Sequence, residues 1–227
     1  MAHLFGTDGV RGKAGEFPLD VATIRRLGAA LVRALRHDGA TTTAIRFLAG
    51  RDTRESGEWI ERELAFGIRS QGGSYTSTGV VPTPAIAYLT PRLGYSAGVV
   101  ISASHNPFED NGIKVFSGAG EKFTETLERH VESIIADTSW SVAGDAAEPV
   151  EELDLRSEYL DHLRDRAFER FHTTTKQAAL IAQKAGVKKL LIGHFSSKYD
   201  TLEEFEAEAR EVFPNTELAL EGVTYKV

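Results

Sequence analysis

The chain has 227 residues, enough for one large or two small hydrophobic cores, and it contains no cysteine. It therefore has no disulfide, no thiolate nucleophile and no cysteine-ligated zinc. A formal net charge of −7 argues against strong nucleic-acid binding, because contacts to phosphates need clustered Lys and Arg. No apolar run reaches the length of a membrane span, and no long apolar segment opens the chain as in a signal peptide. We expect a cytoplasmic protein without a membrane partner.

Apolar spacing predicts alternating helices and strands along most of the chain. Helices are predicted at 21–35, 60–68, 85–92, 123–135 and 155–167, strands at 45–49, 74–78 and 97–101, and an edge strand at 113–116. Asp20 is a candidate cap for the first helix, and the polar stretch 139–152 is predicted to be a loop. This alternation favours an α/β fold with a mostly parallel mixed sheet flanked by helices.

The segment 97–116 contains most of the candidate catalytic residues. Residues 97–101 form a short apolar run typical of a buried strand, and the dipeptides that follow it are typical of turns. Ser104, His105 and Lys114 should therefore lie beyond the carboxyl end of a strand, where open α/β sheets bind ligands. Ser104 could carry a phosphoryl group there, but the motif taken by itself favours a polar turn with a solvated lysine. A serine hydrolase is disfavoured, because the Gly-x-Ser-x-Gly elbow is absent.

A glycine-rich loop near the amino terminus favours the interpretation of Ser104 as a phosphoryl carrier. Phe5-Gly6-Thr7-Asp8-Gly9-Val10-Arg11-Gly12, together with Ser104-His105-Asn106-Pro107, resembles the amino-terminal domain of the α-D-phosphohexomutases. Within that family the chain is most similar to the branch that acts on glucosamine phosphate. Further matching segments lie at 49–54, 79–85 and 110–114, and the resemblance covers about residues 4–163.

The resemblance implies that Ser104 is a phosphoserine in the active enzyme, exchanging its phosphoryl group with a hexose phosphate through a hexose bisphosphate. The implied overall reaction converts glucosamine 6-phosphate to glucosamine 1-phosphate. An oxygen of the Ser104 phosphate is implied to bind Mg²⁺ as well. Cationic and donor side chains would offset charge on the transferred phosphoryl oxygens. The implied catalytic residues beside Ser104 are Arg11, His105 and Lys114, and the implied substrate-binding residues are Arg51, Ser102 and Asn106.

Several motifs of that family are missing from this sequence. The Asp-Gly-Asp-Gly-Asp-Arg loop that supplies its other Mg²⁺ ligands is absent, and so are its sugar-recognition loop and its carboxy-terminal phosphate-binding loop. One phosphoserine cannot hold Mg²⁺ alone, because the ion needs several oxygen ligands. We therefore expect an incomplete Mg²⁺ site and a chain incomplete for full turnover. A noncatalytic module that binds sugar phosphates is the alternative.

The last 60 residues or so differ from that family. His-Thr-Thr-Thr-Lys-Gln-Ala-Ala from His172 and His-Phe-Ser-Ser-Lys-Tyr from His194 resemble the carboxy-terminal end of ribonuclease Z, a zinc-dependent tRNA 3′-processing enzyme of the metallo-β-lactamase fold. By that resemblance His172 matches a zinc ligand. The family's His-x-His-x-Asp-His loop is absent, and a zinc site needs three or four converging ligands, so zinc binding is not expected and a zinc-dependent ribonuclease fragment is only a third, disfavoured alternative.

The chain is thus predicted to join two partial domains, 1–163 and 164–227, and the sequence does not distinguish a natural fusion from an engineered or misassembled one. The second is predicted to be a small α/β tail, with helices at 176–185 and 202–212 and strands at 187–195, 218–220 and 224–227. Because the sheet that such a tail normally covers is missing, we expect exposed apolar surface that favours self-association or docking onto the first domain.

Overall fold

The computed structural model describes residues 4–37, 44–169, 173–195, 199 and 201–225. The chain divides into two compact units, Met1–Tyr159 and Leu160–Val227. The division falls inside a helix rather than in a linker. Among the described residues, no helix is both long enough and apolar enough to cross a membrane.

The first unit alternates strands with helices, as predicted. Its strands are β1 (Val10–Lys13), β2 (Arg46–Arg51), β3 (Ser74–Val80), β4 (Ala97–Ile101), β5 (Asp110–Ser117) and β6 (Glu151–Glu152). Its helices are α1 (Val21–His37), α2 (Gly57–Ser70), α3 (Thr83–Arg92) and α4 (Glu125–Ala136), and α5 (Arg156–Glu169) spans the division between the units. Asp20 caps α1 as predicted, since its carboxylate accepts a hydrogen bond from the backbone amide of Thr23 at 3.0 Å.

The six strands form one mixed sheet in the order β1-β5-β4-β2-β3-β6. Strands β4, β2, β3 and β6 run parallel, whereas β5 is antiparallel to both of its neighbours. The predicted α/β class and mostly parallel mixed sheet are confirmed. One detail was wrong, because residues 113–116 do not form the edge. The edge strand on that side of the sheet is β1, which lies in the glycine-rich segment and pairs with β5. Val10 pairs with Ile113, and both residues are fully buried.

Helices cover both faces of this sheet, because side chains alternate along each strand. Phe47 and Ala49 of β2 belong to the core shared with α1, α2 and α4. Leu48, between them, belongs to the opposite core, which α3 covers with Ile86 and Leu89. Because β2 and β4 run parallel, their carboxyl ends lie at the same end of the sheet, and the segments that follow these two strands start there.

The second unit contains α6 (Thr175–Ala185), β7 (Leu190–Ile192), α7 (Glu203–Arg210) and β8 (Thr216–Leu218), with the two strands parallel. Strand β7 is shorter than predicted, since Gly193 follows it and His194 has a φ of 63°. Residues 224 and 225 are not in a strand, whereas 226 and 227 lie outside the described part. The fully buried apolar residues of this unit are few, and Ile181 and Val223 are exposed. Self-association through such surface stays a prediction.

Candidate active site

Ser104 lies in the connection that leads from β4 into the antiparallel strand β5. Its backbone φ is 58°, in the left-handed region that residues other than glycine seldom occupy, and its side chain is exposed. A backbone in this region costs about 1–3 kcal/mol and persists only where neighbouring groups hold it. The residue that the family resemblance implies to be the phosphoryl carrier is therefore presented on a strained, solvent-facing turn.

Ser102 stabilises this turn through its hydroxyl and its backbone amide. It is 8% exposed, its amide donates to the carbonyl of Gly112 at 2.8 Å, and its hydroxyl accepts from the amide of Ser104 at 3.1 Å. The two serines therefore differ in role, because Ser102 is buried and engaged by the backbone whereas the Ser104 side chain faces solvent. Ser102 therefore contacts the backbone of Ser104, the predicted nucleophile.

Arg11 reaches the same loop from β1, where it pairs with Gly112. Its guanidinium donates to the side-chain oxygen of Asn106 at 3.3 Å and to the Asp8 carboxylate at 3.0 Å. The close approach of the amino-terminal loop to β5 depends on Gly9, which has a φ of 89°. A Cβ there would lie 2.3 Å from the carbonyl oxygen of Ile113. The structure thus brings Arg11 to the loop that carries Ser104.

Asn106 ties the loop together from within. Its side-chain amide donates to the Asp110 carboxylate at 3.1 Å, and its backbone amide donates to the carbonyl of Ala103 at 3.2 Å. Because its side-chain oxygen also accepts from Arg11, this residue links the loop to β1. Ser102, Ser104, Asn106 and Arg11 therefore form one connected group.

The two other predicted catalytic residues have different surroundings. His105 follows Ser104 directly and is exposed. Lys114 is half-buried in β5, where it pairs with Val100 of β4. Neither lines the cleft beside Ser104, so their roles towards a phosphoryl group stay predictions.

Arg51 is not brought to this group. Its guanidinium contacts the carboxylates of Glu58 at 3.1 Å and Glu61 at 3.2 Å. Burial raises the pKa of the Glu61 carboxyl, with Ser77 and Arg51 opposing that rise. A separate cavity of about 320 Å³ borders Arg51. The structure therefore gives no support to the expectation that Arg51 binds substrate at the Ser104 loop.

Sequence reasoning leaves two interpretations of the segment 51–54, a surface ion-pair cluster or a support for the active-site loop, and it does not single out Arg54. Arg54 donates to the backbone carbonyls of Ser104 at 3.0 Å and Asn106 at 2.8 Å. It also donates to the carbonyls of Pro107 and Asp110, the latter at 2.9 Å. The signal was present in the matching segment 49–54, but the spacing alone could not show which arginine faces the loop.

A cleft of about 950 Å³ opens beside Ser104. Its lining combines charged and aromatic side chains, and Phe108 is 82% exposed there. The lining residues include Lys13, Asp52, Arg54, Trp59, Asn106 and Glu109. An open cleft next to an exposed serine gives a phosphorylated small molecule room to approach the hydroxyl.

The described residues do not fit a magnesium site at this loop. No group of three or more His, Asp or Glu side chains able to hold a metal occurs among them. Three nearby carboxylates have partners, since Asp8 contacts Arg11, Asp52 contacts Arg54, and Asp110 accepts from Asn106, and Glu109 also lines the cleft. Mg²⁺ needs several oxygen ligands that converge on one point, and no such group occurs among these side chains.

The described residues of the second unit give no support to a zinc site. His172 lies outside the described residues, as does Ser196. His194 and Tyr199 border a cavity of about 740 Å³ together with Thr174. Within the described parts of this unit, no metal-binding group of side chains is present, and zinc stays only an implication of the sequence resemblance.

Comparison with known proteins identifies relatives of the first unit. Residues 2–141 match the family model for phosphoglucomutase/phosphomannomutase, alpha/beta/alpha domain I. The phosphoglucosamine mutase of Koribacter versatilis (strain Ellin345) is 51% identical over 135 residues, which are 60% of this chain and 28% of that protein. The phosphoglucosamine mutase of Deinococcus deserti is 50% identical over 131 residues, which are 58% of this chain and 29% of the relative.

Solved structures resemble the chain over a longer stretch. A provisionally assigned phosphomannomutase from Thermus thermophilus matches with a TM-score of 0.63 and 25% identity, over 96% of this chain and 46% of the other. The chain therefore spans less than a third of the length of the two curated relatives above and less than half of this structure.

Proposed function

The chain belongs to the phosphoglucomutase/phosphomannomutase family, and from that premise we propose that its first unit carries the phosphoryl-accepting serine of a phosphohexomutase. One observation carries this proposal. Ser104 is exposed on a left-handed turn at the end of β4, beside an open cleft and within a loop that Arg11 contacts through Asn106.

The proposed step is transfer of one phosphoryl group from a hexose bisphosphate to Ser104. The bond from phosphorus to the serine oxygen forms, and the bond from phosphorus to the sugar oxygen breaks. The proton that leaves the serine hydroxyl is balanced by the proton that the departing sugar oxygen gains. Arg11 would offset negative charge on the phosphoryl oxygens, with His105 and Lys114 as further donors.

The complete isomerisation of glucosamine 6-phosphate to glucosamine 1-phosphate is proposed for a protein with further domains, because the chain covers only 28% or 29% of these two relatives. The family resemblance implies Mg²⁺ at the Ser104 phosphate. Since the described residues contain no group of three or more side chains able to hold a metal, its remaining ligands would have to come from elsewhere, and no step is assigned to the ion.

Incubation of the purified chain with a radiolabelled hexose 1,6-bisphosphate, with and without Mg²⁺, tests the proposal. We expect close to one labelled phosphate per chain and an equal amount of released hexose monophosphate. A parallel calorimetric titration with the bisphosphate measures binding, and so distinguishes phosphoryl transfer from the alternative function of binding alone. Binding of the bisphosphate by folded chain without covalent label or released monophosphate would overturn phosphoryl transfer and favour a noncatalytic sugar-phosphate-binding module.

A further inference from the structure

The backbone carbonyls of the Ser104 loop converge on a single guanidinium. The four that accept hydrogen bonds from Arg54 belong to Ser104, Asn106, Pro107 and Asp110. We propose that Arg54 is the positioning residue that holds the Ser104 loop in its phosphoryl-accepting conformation. This inference rests on the proposed function of Ser104, and the experiment below tests the two separately.

The hydrogen-bonding capacity of Arg54 is fully used inside the protein. A guanidinium has five N–H donors in a rigid plane. Two on one terminal nitrogen meet Pro107 and Asp110, and two on the other meet Ser104 and Asn106. The Nε–H donates to the Asp52 carboxylate at 3.1 Å. No donor is left for a phosphoryl group, so Arg54 acts through the loop rather than on the substrate.

The position of Arg54 is itself fixed. Its side chain is only 11% exposed, and Asp52 holds both ends of the residue, accepting from its backbone amide as well as from Nε at 3.1 Å. Asp52 in turn donates its amide to the carbonyl of Ile101, the last residue of β4, at 3.0 Å. The arginine is therefore anchored to the strand that leads into the loop.

The loop needs such an anchor for two reasons. Ser104 has a φ of 58°, which a serine adopts only when its surroundings impose it. The carbonyl oxygens also carry partial negative charge, and a carbonyl bonded to Arg54 is not free to turn towards an incoming phosphoryl group. One buried cation thus fixes the backbone angle of the nucleophile and keeps acceptors away from the phosphate.

Arg54→Gln and Arg54→Lys variants test this role, with Arg25→Gln as the matched control. Arg25 is comparably buried, and it also donates to a carboxylate, Glu63 at 2.6 Å, and to a carbonyl, Gly144 at 2.9 Å. Those partners lie away from the loop, so the control reports the cost of losing a buried arginine alone.

Amide hydrogen exchange over 103–110 and single-turnover phosphorylation of Ser104 at varied bisphosphate concentration are the two measurements. For Arg54→Gln we expect faster exchange in this loop and a saturating phosphorylation rate about 10–100-fold lower, since a misplacement of about 1 Å can cost 10²-fold. The concentration for half-saturation should change much less. Arg54→Lys, with three donors, should restore part of the rate, and Arg25→Gln should leave both loop exchange and rate close to wild type.

The two measurements also test the function of Ser104 and the role of Arg54 separately. If the wild-type chain takes up no phosphate, the proposed function fails, while loop exchange still tests Arg54. If Arg54→Gln exchanges in this loop as slowly as wild type, or loses rate only in proportion to the Arg25→Gln control, the positioning role is wrong even though Ser104 accepts phosphate.

Discussion

Alanine at position 104 is expected to abolish phosphoryl uptake from a hexose bisphosphate while changing the free energy of unfolding by less than about 0.5 kcal/mol. The hydroxyl is exposed and supplies no described hydrogen bond to the fold, whereas the backbone of Ser104 makes the contacts that hold the turn. Alanine preserves those backbone contacts. Label incorporation and chemical denaturation measure the two effects.

Ser102→Ala is the matched control for this prediction. It removes the hydroxyl that accepts from the amide of Ser104, so it should cost about 0.5–1.5 kcal/mol of stability and slow phosphoryl uptake without abolishing it. Wild-type uptake by Ser104→Ala together with complete loss in Ser102→Ala would show that Ser102, rather than Ser104, carries the phosphoryl group.

Alanine at position 67 is expected to destabilise the first unit by about 1–3 kcal/mol. Helices α1 and α2 approach closely at Gly28 and Gly67. A Cβ on Gly67 would lie 2.1 Å from the carbonyl oxygen of Arg25, and one on Gly28 would lie 2.4 Å from that of Leu64. Backbone atoms cannot rotate away as a side chain can, so the helices must separate. This cost outweighs the gain of about 1 kcal/mol that alanine brings to a helix interior.

Tryptophan fluorescence during denaturation measures this effect in the first unit alone, because both tryptophans of the chain, Trp59 and Trp140, lie there. Gly57→Ala on the same helix is the control. Its Cβ would meet only the side chain of Arg51, with the nearest atom, Cδ, at 3.1 Å, and that side chain can shift. An equal or higher stability of Gly67→Ala would contradict the helix contact described here.

Local patterns in the sequence predicted the elements with strong apolar spacing. Helix α1 begins at Val21, after its cap Asp20, and the buried run of β4 ends at Ile101, just before the serine turn. Both depend on neighbours a few residues apart, so the information lies in one short stretch of chain. The loop that carries Ser104 was predictable for the same reason.

Features that depend on distant residues were not predictable in this way. Strand β1 has only four residues and lies within a glycine-rich segment. It forms because Val10 pairs with Ile113, which is distant in sequence. Arg51 and Arg54 look equivalent in sequence, yet Glu61 engages one and the Ser104 loop engages the other. Which partner each arginine meets is decided by tertiary packing.

The proposed role of Ser104 is tested most simply by mapping the phosphate itself. The wild-type chain, incubated with a hexose 1,6-bisphosphate, would be digested and its peptides fragmented in a mass spectrometer, which distinguishes Ser102 from Ser104. We expect a single phosphate on Ser104. A chain that is folded and binds the bisphosphate, but carries phosphate on Ser102 or on no serine, would contradict this role.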